Sequence, residues 1–114
     1  MKHTLRSLLF AATLATPLLA ADAPNYAIQP VLHPGTEKRH ESFNVISKKG
    51  EAELVFLGDS ITHSWEGRGK AVWEKTWAPL KAANFGISGD RTEHVLWRLD
   101  HGNFDGLKPK AIVL

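Results

Sequence analysis

The chain has 114 residues, no cysteine, 43% apolar residues and a formal charge of +2. With Lys2 and Arg6 set aside, twelve basic residues face twelve acidic ones, so nothing in the balance points to nucleic acid or an anionic membrane surface as a partner. The lack of cysteine excludes a disulfide framework and a lipid-anchored N-terminus.

Residues 1–21 open with Lys2 and Arg6, continue through a largely apolar Leu8 to Leu19 and close on Ala20-Ala21. This is the pattern of a secretory signal peptide, and the apolar run is short for a membrane span. It predicts an exported protein, periplasmic or extracellular, cleaved between Ala20 and Ala23 and without a stable membrane anchor. Residues 22–35 hold Pro24, Pro30, Pro34 and Gly35 and read as an extended lead-in. From Thr36 to Lys49 the pattern is helical, with Glu37 and Glu41 early, Phe43 and Ile46 on one face, and Lys48-Lys49 before a stop at Gly50. Residues 22–50 are therefore a lead-in and an N-terminal helix.

The stretch around which the rest is organised is Leu54-Val55-Phe56-Leu57-Gly58-Asp59-Ser60. Four apolar residues in a row, entered from Glu51 and Glu53, suit a strand buried on both faces of a parallel sheet. Ile61 to Leu80 reads as an interrupted helix, broken at Gly67-Arg68-Gly69, with Trp73, Trp77 and Leu80 on one face against the sheet. Gly69-Lys70 is no phosphate loop, because the earlier glycines are misplaced and Ala71 stands where Ser or Thr is required. A second strand covers about Ala82 to Phe85 and leads into Gly86-Ile87-Ser88-Gly89-Asp90. A helix from Thr92 to Asp100 follows, with Val95, Leu96 and Leu99 inward, and Ala111 to Leu114 has the make-up of a third buried strand. Strands alternating with helices predict a parallel sheet with right-handed crossovers.

Ser60 sits at the carboxyl end of a strand and the start of a helix, which is where ligands bind in open α/β sheets. Free backbone N–H groups there suit an acyl-transfer nucleophile with an oxyanion hole. For an isolated Gly-Asp-Ser, a serine that merely caps a helix is the commoner explanation. The second glycine turn changes that weighting. In a parallel sheet it lies beside the first, so that a Gly89 N–H and the Ser60 N–H can bind one carbonyl oxygen.

Leu57-Gly58-Asp59-Ser60 resembles the first block of the GDSL, or SGNH, hydrolases, and Asn84-Phe85-Gly86-Ile87-Ser88-Gly89-Asp90 resembles their second. The closer resemblance is to the catalytic subunits of the intracellular platelet-activating factor acetylhydrolases. It extends through His94-Val95-Leu96-Trp97-Arg98-Leu99 to Lys108-Pro109-Lys110, and so covers most of residues 36–114. The resemblance implies a flavodoxin-like three-layer α/β/α SGNH hydrolase fold with a parallel sheet, here truncated after the third strand. It also implies hydrolysis of small acyl or acetyl esters with neither metal nor cofactor. Ser60 matches the nucleophile and one oxyanion donor, Gly89 the second donor, and Asp59 the aspartate that braces the turn. Ser88 stands where some relatives have glycine.

The family's later blocks supply an asparagine donor and an aspartate–histidine pair, which fall beyond Leu114. Residues 51–114 are therefore expected to be the N-terminal part of such a domain, inactive by itself. His63, His94 and His101 read as surface or packed histidines, and Asp90 and Glu93 as helix-start residues suited to the dipole. The expected partner is a small-molecule ester, with lipid, acetylated sugar and simple esters all open. The competing class is a non-catalytic flavodoxin-like module that binds a ligand or glycan in the same crevice.

Overall fold

The computed structural model describes residues 24–114, so the signal-peptide segment 1–21 and its cleavage region lie outside the described residues. Helix α1 spans Glu37–Lys49, and Gly50 ends it at φ 68°, a left-handed backbone open to glycine. Strand β1 follows at Leu54–Gly58, then a one-turn helix α2 at Ser60–His63. After the Gly67–Gly69 turn, helix α3 at Lys70–Val72 widens into a π-turn at Trp73–Trp77 and tightens into a 3-10 turn at Ala78–Leu80. Strand β2 is Ala82–Gly86, helix α4 is Thr92–Asp100, and strand β3 is Ala111–Val113.

The strands form one parallel sheet in the order β2-β1-β3, with Gly58 level with Gly86 and Phe56 level with Val113. Because β1 is central, its side chains alternate between two covered faces. Val55 and Leu57 join Ala83, Phe85 and Ile87 beneath Phe43 of α1, whose ring stacks on Phe85 at 4.7 Å. Burying a ring of that size contributes roughly 1.5–3 kcal/mol. Phe56 points the other way into Trp65, Trp73 and Trp77, with centroids 6.3, 5.1 and 5.3 Å from its ring. The connection after β1 thus lies on one face and α4 on the other. The chain reverses direction across β1, as right-handed crossovers to strands on either side demand.

At the opposite end of the sheet Glu53 ties the strands together. Its carboxylate pairs with Lys81, just before β2, at 2.8 Å and with Lys110, just before β3. Hydrogen bonds from the two ammonium groups hold its pKa down to about 2.

Two expectations are corrected. The buried side of α4 carries Glu93, His94 and Arg98, whereas Val95 and Leu96 are half-buried and Leu99 is exposed. The helix turns on charged residues because they find partners inside, as described below. Strand β3 is not buried: it edges the described sheet, and Ile112, Val113 and Leu114 are all exposed.

Candidate active site

The exit of β1 is tight. A Cβ on Gly58 would lie 2.5 Å from Thr62 Oγ1, so a side chain there would force the Thr62 hydroxyl out of its place. Asp59 caps the turn, its Oδ1 accepting the Ile61 N–H at 2.9 Å. Ser60 follows as the first residue of α2. It is exposed, and its Oγ makes no hydrogen bond among the described residues.

The exit of β2 is locked to the same place. The Ile87 N–H donates to the Gly58 carbonyl at 3.0 Å, and the Asp90 N–H closes the turn on the Ile87 carbonyl at 3.1 Å. A Cβ on Gly86 would lie 2.7 Å from the Thr62 carbonyl carbon and closer still to His63 N, so the α2 backbone rests directly on this glycine. Gly89 is exposed at φ +84°, with the His33 ring 3.0 Å from where a Cβ would stand. The two turns carrying Asp59, Ser60 and Gly89 are therefore neighbours. Neither the Ser60 N–H nor the Gly89 N–H has a partner among the described residues.

Beneath the turns lies a buried ionic network that sequence reasoning missed. Arg98, 2% exposed, donates from Nε to Asp90 Oδ2 at 2.9 Å, and its Nη2 lies within ion-pair distance of the same oxygen, also at 2.9 Å. Its Nη1 donates to the Phe85 carbonyl at 3.1 Å and to Asn103 Oδ1 at 2.8 Å, while Nη2 reaches the Gly58 carbonyl at 3.4 Å. One guanidinium thus holds the ends of both strands. Burial pushes its pKa below the ordinary value, and the Asp90 charge pulls it back up.

Asp90 was read as a helix-start residue. Its other oxygen instead meets His33 Nδ1 from the lead-in at 2.8 Å, and the His33 ring stacks on His94 at 4.6 Å. These three side chains have the spacing of metal ligands. The Asp90 oxygens and the Nδ1 atoms of both histidines are already engaged. Asp90 is shared between Arg98 and His33, and His94 Nδ1 accepts the Arg91 N–H at 3.0 Å. A cation here would break those bonds and face a guanidinium, so the group is better suited to hydrogen bonding than to ligation.

Behind Arg98, Asn103 Nδ2 lies 3.0 Å from His40 Nδ1 and 2.9 Å from Asn44 Oδ1, and Asn44 Nδ2 lies 3.2 Å from His40 Nε2. Burial lowers the His40 pKa. A protonated ring would also present an N–H to an amide NH2 on each side. The spacing His40-Asn44 on α1 was the one sequence signal for this network, since it places two polar residues on the helix face that also carries Phe43 and Ser47.

None of the described histidines supplies Ser60 with a base. His63 Nδ1 contacts Ser88 Oγ at 2.9 Å and accepts the Ser88 N–H at 3.2 Å. His101 stacks on Trp97 at 3.8 Å, with Nδ1 on the Trp97 carbonyl. An open groove of about 450 Å³ flanks the β1 exit, lined by Leu57, Gly58, Asp59, Ile61, Trp65 and Leu114. A larger groove of about 970 Å³ lies along β2 and α1 and reaches Glu53 and Lys81 at the far end of the sheet, away from Ser60.

Comparison with known proteins now bears on this geometry. No protein-family model matches the chain. Platelet-activating factor acetylhydrolase IB subunit alpha1 of Rattus norvegicus and of Homo sapiens are each 44% identical to it over 78 residues, 66% of this chain and 32% of theirs. Subunit alpha2 of Homo sapiens is 41% identical over 76 residues, 67% of this chain and 32% of its own length. The chain thus spans about a third of the length of the curated relatives it matches. These relatives are subunits of an intracellular enzyme, which overturns the exported, periplasmic or extracellular location expected from residues 1–21. An apolar N-terminal run with small residues after it is a compositional pattern, weaker than a long alignment. Over the matched two thirds of its length, this chain is a homologue of the platelet-activating factor acetylhydrolase IB subunits.

Proposed function

We propose that the chain carries the nucleophile and oxyanion turns of a serine acylhydrolase of the SGNH type, acting on small acyl or acetyl esters. Ser60 Oγ attacks the acyl carbon, and the Ser60 and Gly89 N–H groups receive the negative charge that develops on the carbonyl oxygen. Asp59 holds the turn in shape through its bond to the Ile61 N–H. The observation that carries the reading is the pair of unpartnered N–H groups on adjacent strand ends, one of them belonging to an exposed serine. The Ser60 N–H is a first-turn helix donor with no intrahelical acceptor, and together with the Gly89 N–H on the neighbouring turn it fits an anionic oxygen. Homology to acetylhydrolase subunits supports the same class of chemistry.

Within residues 24–114 no described histidine touches Ser60 Oγ, so the hydroxyl stays neutral and slow. Turnover by these residues alone is accordingly expected to be negligible. The test is a fluorophosphonate probe applied to the whole protein, with the labelled serine located by mass spectrometry. Label on Ser60, and loss of p-nitrophenyl acetate hydrolysis in a folded Ser60→Ala variant, is the expected result. Label on Ser64 or Ser88 instead would overturn the assignment.

A further inference from the structure

His63 lies outside the residues that the family resemblance brings to the site, yet its side chain joins the two turns. We propose that His63 is a positioning residue, which holds the Ser88–Gly89 turn so that the Gly89 N–H faces the acyl oxygen of an ester on Ser60. The proposal rests on the reading of Ser60 and Gly89 given above.

The geometry leaves Ser88 and Gly89 little else to hold them. The bonds that close the turn flank them, from Ile87 N–H to Gly58 and from Asp90 N–H to Ile87. Among the described residues every hydrogen bond of Ser88 goes to His63 Nδ1, and Gly89 has none. Gly89 also has the freest backbone in the turn, at φ +84°. A donor that must be aimed before charge develops is thus carried by an exposed pair whose one side-chain anchor is an imidazole.

The imidazole is itself held. The Ser88 N–H can only donate, so Nδ1 carries no proton and the ring proton sits on Nε2. That nitrogen lies 3.8 Å from Glu66 Oε2. Both Glu66 oxygens take hydrogen bonds from Arg39, at 3.0 and 2.7 Å, and Arg39 Nε donates to the Gly86 carbonyl at 2.7 Å. Gly86, Arg39, Glu66, His63 and Ser88 therefore form a ring of contacts around the β2 exit. At its base, the His63 N–H bonds the Asp59 carbonyl at 2.9 Å, one residue before the nucleophile. One residue thus bonds the nucleophile turn through its backbone and the oxyanion turn through its side chain.

The experiment compares wild type, His63→Ala and His63→Gln in the whole protein, with p-nitrophenyl acetate as substrate and hydrogen exchange of the Ser88 amide as the second readout. His63→Ala is expected to lower kcat on the order of tenfold with little change in KM, since a misaimed donor costs less than the hundredfold or more of a missing one. The same variant should speed exchange at the Ser88 amide, which donates to His63 Nδ1. His63→Gln, whose side-chain oxygen can accept the Ser88 N–H, should recover part of each. Native kcat alongside faster exchange would show a tether without catalytic consequence and overturn the proposal, as would unchanged exchange or a raised KM with native kcat. If wild type shows no Ser60-dependent turnover, the Ser60 reading itself fails. Faster exchange in His63→Ala would then mark His63 as a structural tether only, which also overturns the proposal.

Discussion

Replacing Arg98 with methionine should cost the fold as much as truncating an apolar side chain of the core. The side chain is 2% exposed, makes one hydrogen bond and a second ion-pair contact to Asp90, and donates to Asn103 and to the carbonyls of Phe85 and Gly58. Methionine keeps much of the stem packed near the Phe43 ring, over which the guanidinium now lies at 5.6 Å. What is lost is the compensation of Asp90, whose side chain is fully buried. Breaking a buried pair by removing one partner typically costs 3–5 kcal/mol, because the remaining charge has neither water nor a counter-ion. His33 remains on the other Asp90 oxygen at 2.8 Å, so the lower end, about 3 kcal/mol, is the expected loss. With a urea m-value of about 1–3 kcal/mol/M, that lowers the unfolding midpoint by on the order of 1–3 M. Urea titration followed by circular dichroism reads it. Adding Asp90→Leu to Arg98→Met should restore part of the loss, since the stranded carboxylate is then gone. A loss below about 1 kcal/mol in the single variant, or an additive double variant, would refute the idea that this pair organises the strand ends.

Two further outcomes follow from the same geometry. Gly89→Ala introduces a Cβ 3.0 Å from the His33 ring at a backbone angle that L-residues rarely adopt, and should lower kcat more than it raises KM; native kcat with a raised KM would mean that Gly89 only shapes the pocket. Burial lowers the folded-state pKa of His40, so below its ordinary value of 6.5 the unfolded chain binds the extra proton first. The stability it supports is whole above pH 6.5 and shrinks as pH falls, with a slope of at most ~1.4 kcal/mol per pH unit for one proton. Urea midpoints measured between neutral pH and pH 5 should show this component in wild type and lose it in His40→Asn; identical slopes would refute it.

Elements whose signal is local were readable from residues alone. The apolar run at Leu54–Leu57, the glycine stop at Gly50 and the break at Gly67-Arg68-Gly69 each depend on a few neighbours, and each lies where expected. The pairing of the two turns was also legible, because β1 and β2 could be recognised and consecutive parallel strands usually pair. Strand β3 was misjudged: Ala111 to Leu114 has core composition, but burial depends on what stands beside a strand. The buried face of α4 was misread for a different reason. Val95, Leu96 and Leu99 outrank Arg98 and His94 on any hydropathy scale. The cost of burying charge is met by Asp90 eight residues before Arg98 and, through Asp90, by His33 in the lead-in. The Asp90–Arg98 spacing crosses the turn into α4 and matches no helical period, and His33 lies 57 residues from Asp90, so hydropathy periodicity displays neither. The His63–Ser88 bond was hidden likewise, since it joins positions 25 residues apart.

The distribution of the tryptophans has an optical consequence. Trp65, Trp73 and Trp77 crowd around Phe56 on one face of the sheet, whereas Trp97 sits with α4 on the other, its ring 3.8 Å from His101 and 5.0 Å from His40. The two faces therefore carry separate fluorophores. The Trp77 Nε1–H is buried with no hydrogen-bond partner among the described residues, which places that indole in a dry setting with blue-shifted emission. Trp97 is stacked against an imidazole, a setting none of the other three shares with it in the aromatic contacts among the described residues. With Trp97 replaced by phenylalanine, the remaining signal follows only the helices laid over Phe56. The difference from wild type follows α4. Superimposable unfolding curves from the two would mean that both layers leave the sheet in one cooperative step.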